Sequence, residues 1–270
     1  KGTAPAFNAL LGGEVQYAVS AVVSGLQHVR AGRLVAIATA TRKRIALLPD
    51  VPAANETLPG FEFANNVLLR PIAERFRILP WAHQTGWIQC QPFYQSGESV
   101  LYDTRQQLQN ALEKLSQKGF QMLCGLEVEF HIYRLRDSHF GTDLDPDAAA
   151  WPGQSPDVHL IHPGYNLLSE NWFDMAEEPL RIVQHTAQAL GLPLMSLEIE
   201  LGPSQVEAVF DVTDALTAAD NMVLFRNGVR QALRRAGYHA TFMCRPPFEN
   251  IMSSGWHLHQ SLIDTTSQQN

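Results

Sequence analysis

The sequence predicts an α+β fold: strands with one apolar face covered by helices, preceded by a small α/β unit. Three observations carry this expectation. Segments around residues 126–133, 197–207 and 255–261 alternate apolar and polar residues, the period of a half-buried strand. Stretches near 104–118, 176–190 and 214–236 repeat apolar residues at helical spacing, each with a glycine at its end. The first sixty residues combine one helical stripe with one short aliphatic run.

In chain order, Ala21 to Arg30 is predicted helical, with Val22, Val23, Leu26 and Val29 on one stripe and Gly32 as the stop. Leu34–Ala38 reads as a short buried strand. Pro49, Pro52, Pro59 and Gly60 then interrupt regular structure. Phe76 to Cys90 reads as strands with a bend at Pro80-Trp81, and Gln95–Glu98 as a turn. Asp103 suits an N-cap. Leu108, Ala111, Leu112 and Leu115 form the stripe of the helix that follows, ended by Gly119. Ser138–Pro163, rich in Asp, Pro and Ala, reads as a long surface loop. In Ala176–Leu190 the inward positions are Leu180, Val183, Ala187 and Leu190, with Gly191 as the stop. In Asp214–Ala236 the apolar positions are Leu216, Met222, Val223, Val229 and Leu233, with Gly237 as the stop.

Composition narrows the class. The chain has 270 residues, 45% hydrophobic and 17% charged, with a net charge of −7. An acidic balance argues against binding nucleic acid or an anionic membrane. No apolar run is long enough to span a bilayer, and the start leads into no signal-peptide core. Cys90, Cys124 and Cys244 are sparse and widely spaced. They read as small buried hydrophobes in a reducing, cytoplasmic setting.

Leu126–Tyr133 carries Glu127 and Glu129 two residues apart, so both project from one strand face roughly 7 Å apart. Like charges that close repel unless a cation or proton lies between them. Glu198 and Glu200 alternate with aliphatics in the same way, and Glu207 follows a Gly-Pro turn that can return it to the same surface. His257, His259 and Ser261 share a third strand face, with Trp256 and Leu258 behind. A single E-x-E pair is ordinarily a solvated face. Three alternating segments together predict a trough of carboxylates and imidazoles. Oxygen-rich donors with an occasional imidazole suit Mg²⁺ or Mn²⁺ rather than structural zinc.

These segments resemble the glutamine synthetase superfamily. Gly125–Phe130 resembles its G-x-E-x-E-F strand, and Glu200–Glu207 its E-x-G-P-x-Q-x-E segment. Ala240–Pro246 and Ser254–Leu262 resemble its A-T-F-M-x-K-P and S-G-M-H-x-H-Q-S-L blocks. Pro80-Trp81 and Asp103–Arg105 match the passage from its small N-terminal domain into the catalytic one. The resemblance implies an antiparallel sheet in a partial barrel with flanking helices. It implies Glu129, Glu200 and Glu207 as ligands of one cation, Glu127 and His257 as ligands of a second, and His259 and Ser261 in nucleotide binding. ATP would be the co-substrate, a small acid and an amine the substrates, and a homo-oligomeric ring the assembly. Phosphoryl transfer to a carboxylate would give an acyl phosphate that the amine attacks. Met252-Ser253 replaces the usual Asn-Gly, Trp256 the usual Met and Arg245 the usual Lys. These departures point to another acid or a bulkier amine.

Residues 1–62 resemble a different family, the tripartite tricarboxylate transporter substrate-binding proteins. The resemblance is carried by Gly12-Gly13, His28–Leu34, Arg42–Arg44, Leu48–Pro52 and Glu56 with Pro59–Phe61. The predicted organisation is this piece at 1–62, a remnant of the synthetase N-terminal domain at 63–102, and a catalytic domain at 103–270 that ends before its last metal carboxylate. Such a chain is expected to have little or no ligase activity by itself. The alternatives are a non-catalytic metal-binding remnant and a periplasmic carboxylate-binding protein.

Overall fold

A computed structural model describes residues 3–13, 15, 17–41, 43–53, 56, 67–136 and 156–266. The chain divides into two compact units: residues 1–70, 92–101 and 143–154 in one, and 71–91, 102–142 and 155–270 in the other.

The first unit holds helices α1 (Thr3–Leu11) and α2 (Val22–Arg30). Gly32, at φ 66°, follows α2 as expected. The strand expected at Leu34–Ala38 is not formed. Next to it, Thr39 and Ala53 make an isolated parallel bridge, and Val35 and Ile37 are 87% and 75% exposed. An aliphatic run without a partner strand has no ladder to join.

β1 (Leu68–Ile78) and β2 (Gly86–Phe93) pair as a two-stranded ribbon. Asp103 caps α3 (Thr104–Ser116) by accepting from the Gln106 N–H at 3.0 Å. The stripe of α3 is only half-buried, and Ala111 is exposed.

A six-stranded antiparallel sheet dominates. Its axis is β3 (Phe120–Leu135). Along one edge of β3 run β6 (Gln205–Asp214) and the short β4 (Val158–Leu160). Along the other run β7 (Tyr238–Thr241) and β8 (Trp256–Asp264). β5 (Leu194–Ile199) extends the sheet beyond β6. Most of the expected loop 138–163 falls outside the described residues, and β4 occupies its end.

Helix α4 (Glu170–Ala189) starts six residues before its expected start at Ala176. Ser169 caps it by accepting from the Trp172 N–H, and the helix runs through Pro179, whose ring is buried in the core. Helix α5 (Ala215–Arg235) is capped by Asp214 and followed by Gly237 at φ 84°. Val223, placed on its apolar stripe by spacing, is 44% exposed.

The period of β3 sets the two faces. Val128, Phe130 and Ile132 are fully buried in a core shared with Leu180, Val183 and Ala187 of α4 and Phe225, Val229 and Leu233 of α5. Phe130 stacks on Phe242 at 4.8 Å and meets Phe225 edge-on at 5.9 Å. Glu127 and Glu129 therefore point the other way. Of the three cysteines only Cys124 is buried. Cys90 is intermediate, and Cys244 is exposed in the segment after β7, so the expectation of three buried thiols is corrected.

Candidate metal centre

Strand pairing brings the acidic segments together. Across β3 and β6 Glu129 lies opposite Glu207, and across β5 and β6 Glu198 lies opposite the same Glu207. On the other edge of β3, His257 lies opposite Glu127 and His259 opposite Gly125. The turn between β5 and β6 needs special backbone. Ser204 sits at φ 60°, and a Cβ on Gly202 would stand 2.5 Å from Gln205 Oε1 and 2.8 Å from Met252 Cβ. The turn returns Glu207 to the trough, as the Gly-Pro pair predicts.

Two groups of three donors result. Glu129, Glu200 and Glu207 form one, and Glu127, Glu207 and His257 the other, with the ligand atoms of each within 4.8 Å of one another. Glu207 thus stands in both groups, whereas the sequence resemblance places it with the first alone. His257 Nδ1 lies 3.2 Å from Glu127 Oε2 and 3.8 Å from Glu207 Oε2, and its Nε2 lies 3.6 Å from Glu129 Oε1. His259 Nε2 is 3.1 Å from Glu127 Oε1. His259 and Ser261 stand further along β8, outside both groups, and Ser261 pairs opposite Leu123.

The electrostatics are those of a crowd of carboxylates short of positive charge. Burial, together with the charges of Glu200, Glu127, Glu129 and Glu198, pushes the Glu207 carboxyl up to about 7. Burial also raises Glu200, while a hydrogen bond from His259 holds Glu127 low. A divalent cation would supply the missing counter-charge, and donors of this type fit Mg²⁺ or Mn²⁺.

A pH dependence follows. Between about pH 4.5 and 7 the folded chain keeps a proton on Glu207 that the unfolded chain releases. The folded state binds more protons there, so the Glu207 contribution to the stability of the metal-free protein falls as pH rises through that window, against an opposite contribution from His131, whose lowered pKa adds stability as pH rises toward 6.5. With Glu207 only 7% exposed, the loss is on the order of 2–3 kcal/mol. Denaturant unfolding in a chelator at pH 4.5, 5.5 and 7, with Glu207→Gln beside the wild type, should show the variant gaining stability relative to the wild type as pH rises. The same slope in the variant would assign the effect to other groups.

Several contributors lie outside the predicted ligand set. Gln205 donates from Nε2 to Glu129 Oε2 at 2.7 Å, and the Gly255 N–H donates to the same oxygen at 3.0 Å. Ser253 takes part through its carbonyl, which accepts from Gln205 at 3.0 Å. Glu198 accepts from the Ser196 hydroxyl at 2.8 Å and adds negative charge beside Glu207. His131, next on the glutamate face of β3, is buried, and that burial with the nearby His162 lowers its pKa to about 4, so it is neutral. Parity along β3 and β5 marks His131 and Glu198; the others depend on register. Among the replaced positions, Met252 lies over Gly202, and Trp256 meets Phe242 edge-on at 6.2 Å on the core side.

An antiparallel sheet carrying two linked carboxylate-rich triads on its open face defines the class: a sheet-built centre suited to divalent cations. The chain belongs to the glutamine synthetase family, whose catalytic domain matches residues 101–270. Residues 1–72 match the tripartite tricarboxylate transporter family receptor. A γ-glutamylanilide synthase from an Acinetobacter species is 37% identical over 209 residues, 76% of this chain and 41% of that protein. A glutamate–isopropylamine ligase from a Pseudomonas species is 29% identical, over 78% of this chain and 45% of that protein. The glutamine synthetase of Halobacterium salinarum is 29% identical, over 74% and 41%. Among solved structures, a GmaS/ADP complex superposes with a TM-score of 0.60 at 23% identity, covering 76% of this chain and 43% of that one. The chain therefore spans about two fifths of the length of the curated relatives it matches. Among the described residues, no helix is long and apolar enough to cross a membrane.

Proposed function

We propose that residues 103–270 are the cation- and nucleotide-binding part of an ATP-dependent ligase joining the side-chain carboxyl of glutamate, or a related acid, to an amine bulkier than ammonia. In this reading residues 63–102 are a remnant of the preceding synthetase domain and residues 1–62 a separate piece. Glu129, Glu200 and Glu207 hold one divalent cation, and Glu127, Glu207 and His257 a second. His259 and Ser261 face the nucleotide. The observation that carries this reading is the pair of three-donor groups meeting at Glu207. The amine is suggested by relatives described as a γ-glutamylanilide synthase and a glutamate–isopropylamine ligase, and by Met252-Ser253 where the family usually has Asn-Gly.

Bound Mg²⁺ or Mn²⁺ supplies charge neutralisation for phosphoryl transfer to a carboxylate. The chain's own contribution is to fix carboxylates at set positions on a rigid sheet. Gln205 and the Gly255 N–H hold one oxygen of Glu129, so the other is oriented before any cation arrives. His257 and His259, hydrogen-bonded to Glu127, hold that carboxylate ionised and ready to bind.

Mn²⁺ titration followed by electron paramagnetic resonance should reveal two ions per chain, close enough to couple magnetically. No binding, or one isolated ion, would overturn the two-site reading. Amine choice is read in a chimera in which residues 103–266 replace the matching segment of the Pseudomonas ligase. Phosphate release with glutamate should be faster with aniline or isopropylamine than with ammonia. Faster release with ammonia would overturn the bulky-amine assignment. The chain alone is expected to release phosphate at background.

A further inference from the structure

Beyond Glu129 on the same sheet face, three buried polar atoms have no protein partner: His131 Nε2, the Tyr133 hydroxyl and His162 Nδ1. None of the three residues is more than 1% exposed. Buried polar groups almost always find a partner, so each needs an explanation. His131 and Tyr133 stack with ring centroids 6.0 Å apart, and His162 is near enough for its charge to bear on His131.

Two backbone groups set where the protons sit. The Gly202 N–H donates to Gln205 Oε1 at 2.9 Å, so the other amide atom of Gln205 is its NH₂. That NH₂ has two protons for Glu129 Oε2 at 2.7 Å, the Ser253 carbonyl at 3.0 Å and Ser254 Oγ at 3.1 Å, so Ser254 receives a shared proton from it and cannot donate to it. The Ser254 O–H is left to donate to His131 Nδ1, 3.2 Å away. With Nδ1 accepting there, the His131 ring carries its proton on Nε2. His162 Nε2 faces the Gln205 carbonyl at 3.0 Å, and a carbonyl only accepts. His162 is therefore protonated on Nε2, and its Nδ1 is a bare acceptor. The partnerless atoms are one donor, one acceptor and one hydroxyl that can act as either.

We propose that His131 Nε2–H, His162 Nδ1 and the Tyr133 hydroxyl together hold one buried water, and that His131, anchored by it, positions Glu129 through Ser254 and Gln205. A water accepting from His131, donating to His162 and bonding Tyr133 makes three hydrogen bonds, the usual number for a buried water. The chain of bonds continues from His131 to Ser254, to the Gln205 NH₂ and to Glu129 Oε2. Glu129 Oε1 remains turned toward His257 and the cation groups. The functional half of this proposal rests on the cation reading above, whereas the hydration half stands without it.

Two measurements on the whole chain separate them. A crystal structure of the whole chain should show one ordered water within hydrogen-bond distance of His131 Nε2, His162 Nδ1 and the Tyr133 hydroxyl, and three atoms that share no water would overturn the water site. Mn²⁺ affinity should fall about 10–100-fold in His131→Phe and Ser254→Ala, and recover to within about 3-fold in His131→Asn, whose amide reaches the place of Nδ1. Unchanged affinity in Ser254→Ala, or equal losses in the Asn and Phe variants, would overturn the positioning role. If His131→Phe does not fold, Ser254→Ala, altered at a half-buried position, decides alone. A wild-type chain that binds no Mn²⁺ would overturn the cation reading and the positioning role, leaving the crystal structure to judge the water.

Discussion

Glu207→Ala is expected to remove both Mn²⁺ ions, not one. Glu207 is the only residue in both three-donor groups found among the described residues. Taking it away leaves Glu129 with Glu200 on one side and Glu127 with His257 on the other, two donors each. Loss of an outer partner of a metal ligand typically costs 10–100-fold in affinity, so loss of a shared ligand should exceed about 100-fold at each site. Glu207→Gln should do nearly the same, because the amide keeps the shape but not the charge. Glu113→Ala, on the exposed side of α3, is the control and should leave binding unchanged. Loss of a single ion from Glu207→Ala would show that the second group is completed by another donor. The same variant should make the metal-free protein more stable near pH 7, since a carboxyl pushed up to about 7 is unfavourable when ionised. Function and stability therefore change in opposite directions at this position.

The second large effect lies in the support of the sheet. Asp220 of α5 is 3% exposed and accepts a two-pronged contact from Arg105 at 2.9 and 3.0 Å. Arg75 reaches it at 3.1 Å and Gln89 at 2.7 Å. One carboxylate thus ties β1, β2 and α3 to α5. Asp220→Asn would leave two largely buried guanidinium groups without the carboxylate they share. Breaking a buried ion pair by removing one partner costs about 3–5 kcal/mol, and urea unfolding should show a loss of that size. A change below about 1 kcal/mol would mean that solvent already screens the arginines.

The site was legible in the sequence to the extent that it follows the period of a strand. Glu127 and Glu129 on one face, with Val128, Phe130 and Ile132 on the other, follow from alternation alone, and the buried faces agree. The cap at Asp103 was legible because capping chemistry is local. What register decides was not legible. The opposition of Glu198, Glu207 and Glu129 across three strands depends on which residues pair, and so does the double role of Glu207. Gln205, Ser254 and Asp220 are polar residues of ordinary kind whose roles come from partners 48 to 131 residues away in sequence. The strand expected at Leu34–Ala38 shows the converse: local propensity without a partner does not make a strand.

The central position of β3 has a kinetic consequence. His257 meets Glu127 across 130 residues of sequence, and Gln205 meets Glu129 across 76. Donors so far apart come together only after the slow, long-range steps of sheet assembly. A cation would then find its ligands gathered late, past the rate-limiting barrier. Mn²⁺ should therefore lengthen the lifetime of the folded chain by slowing unfolding, while the rate of refolding stays almost unchanged.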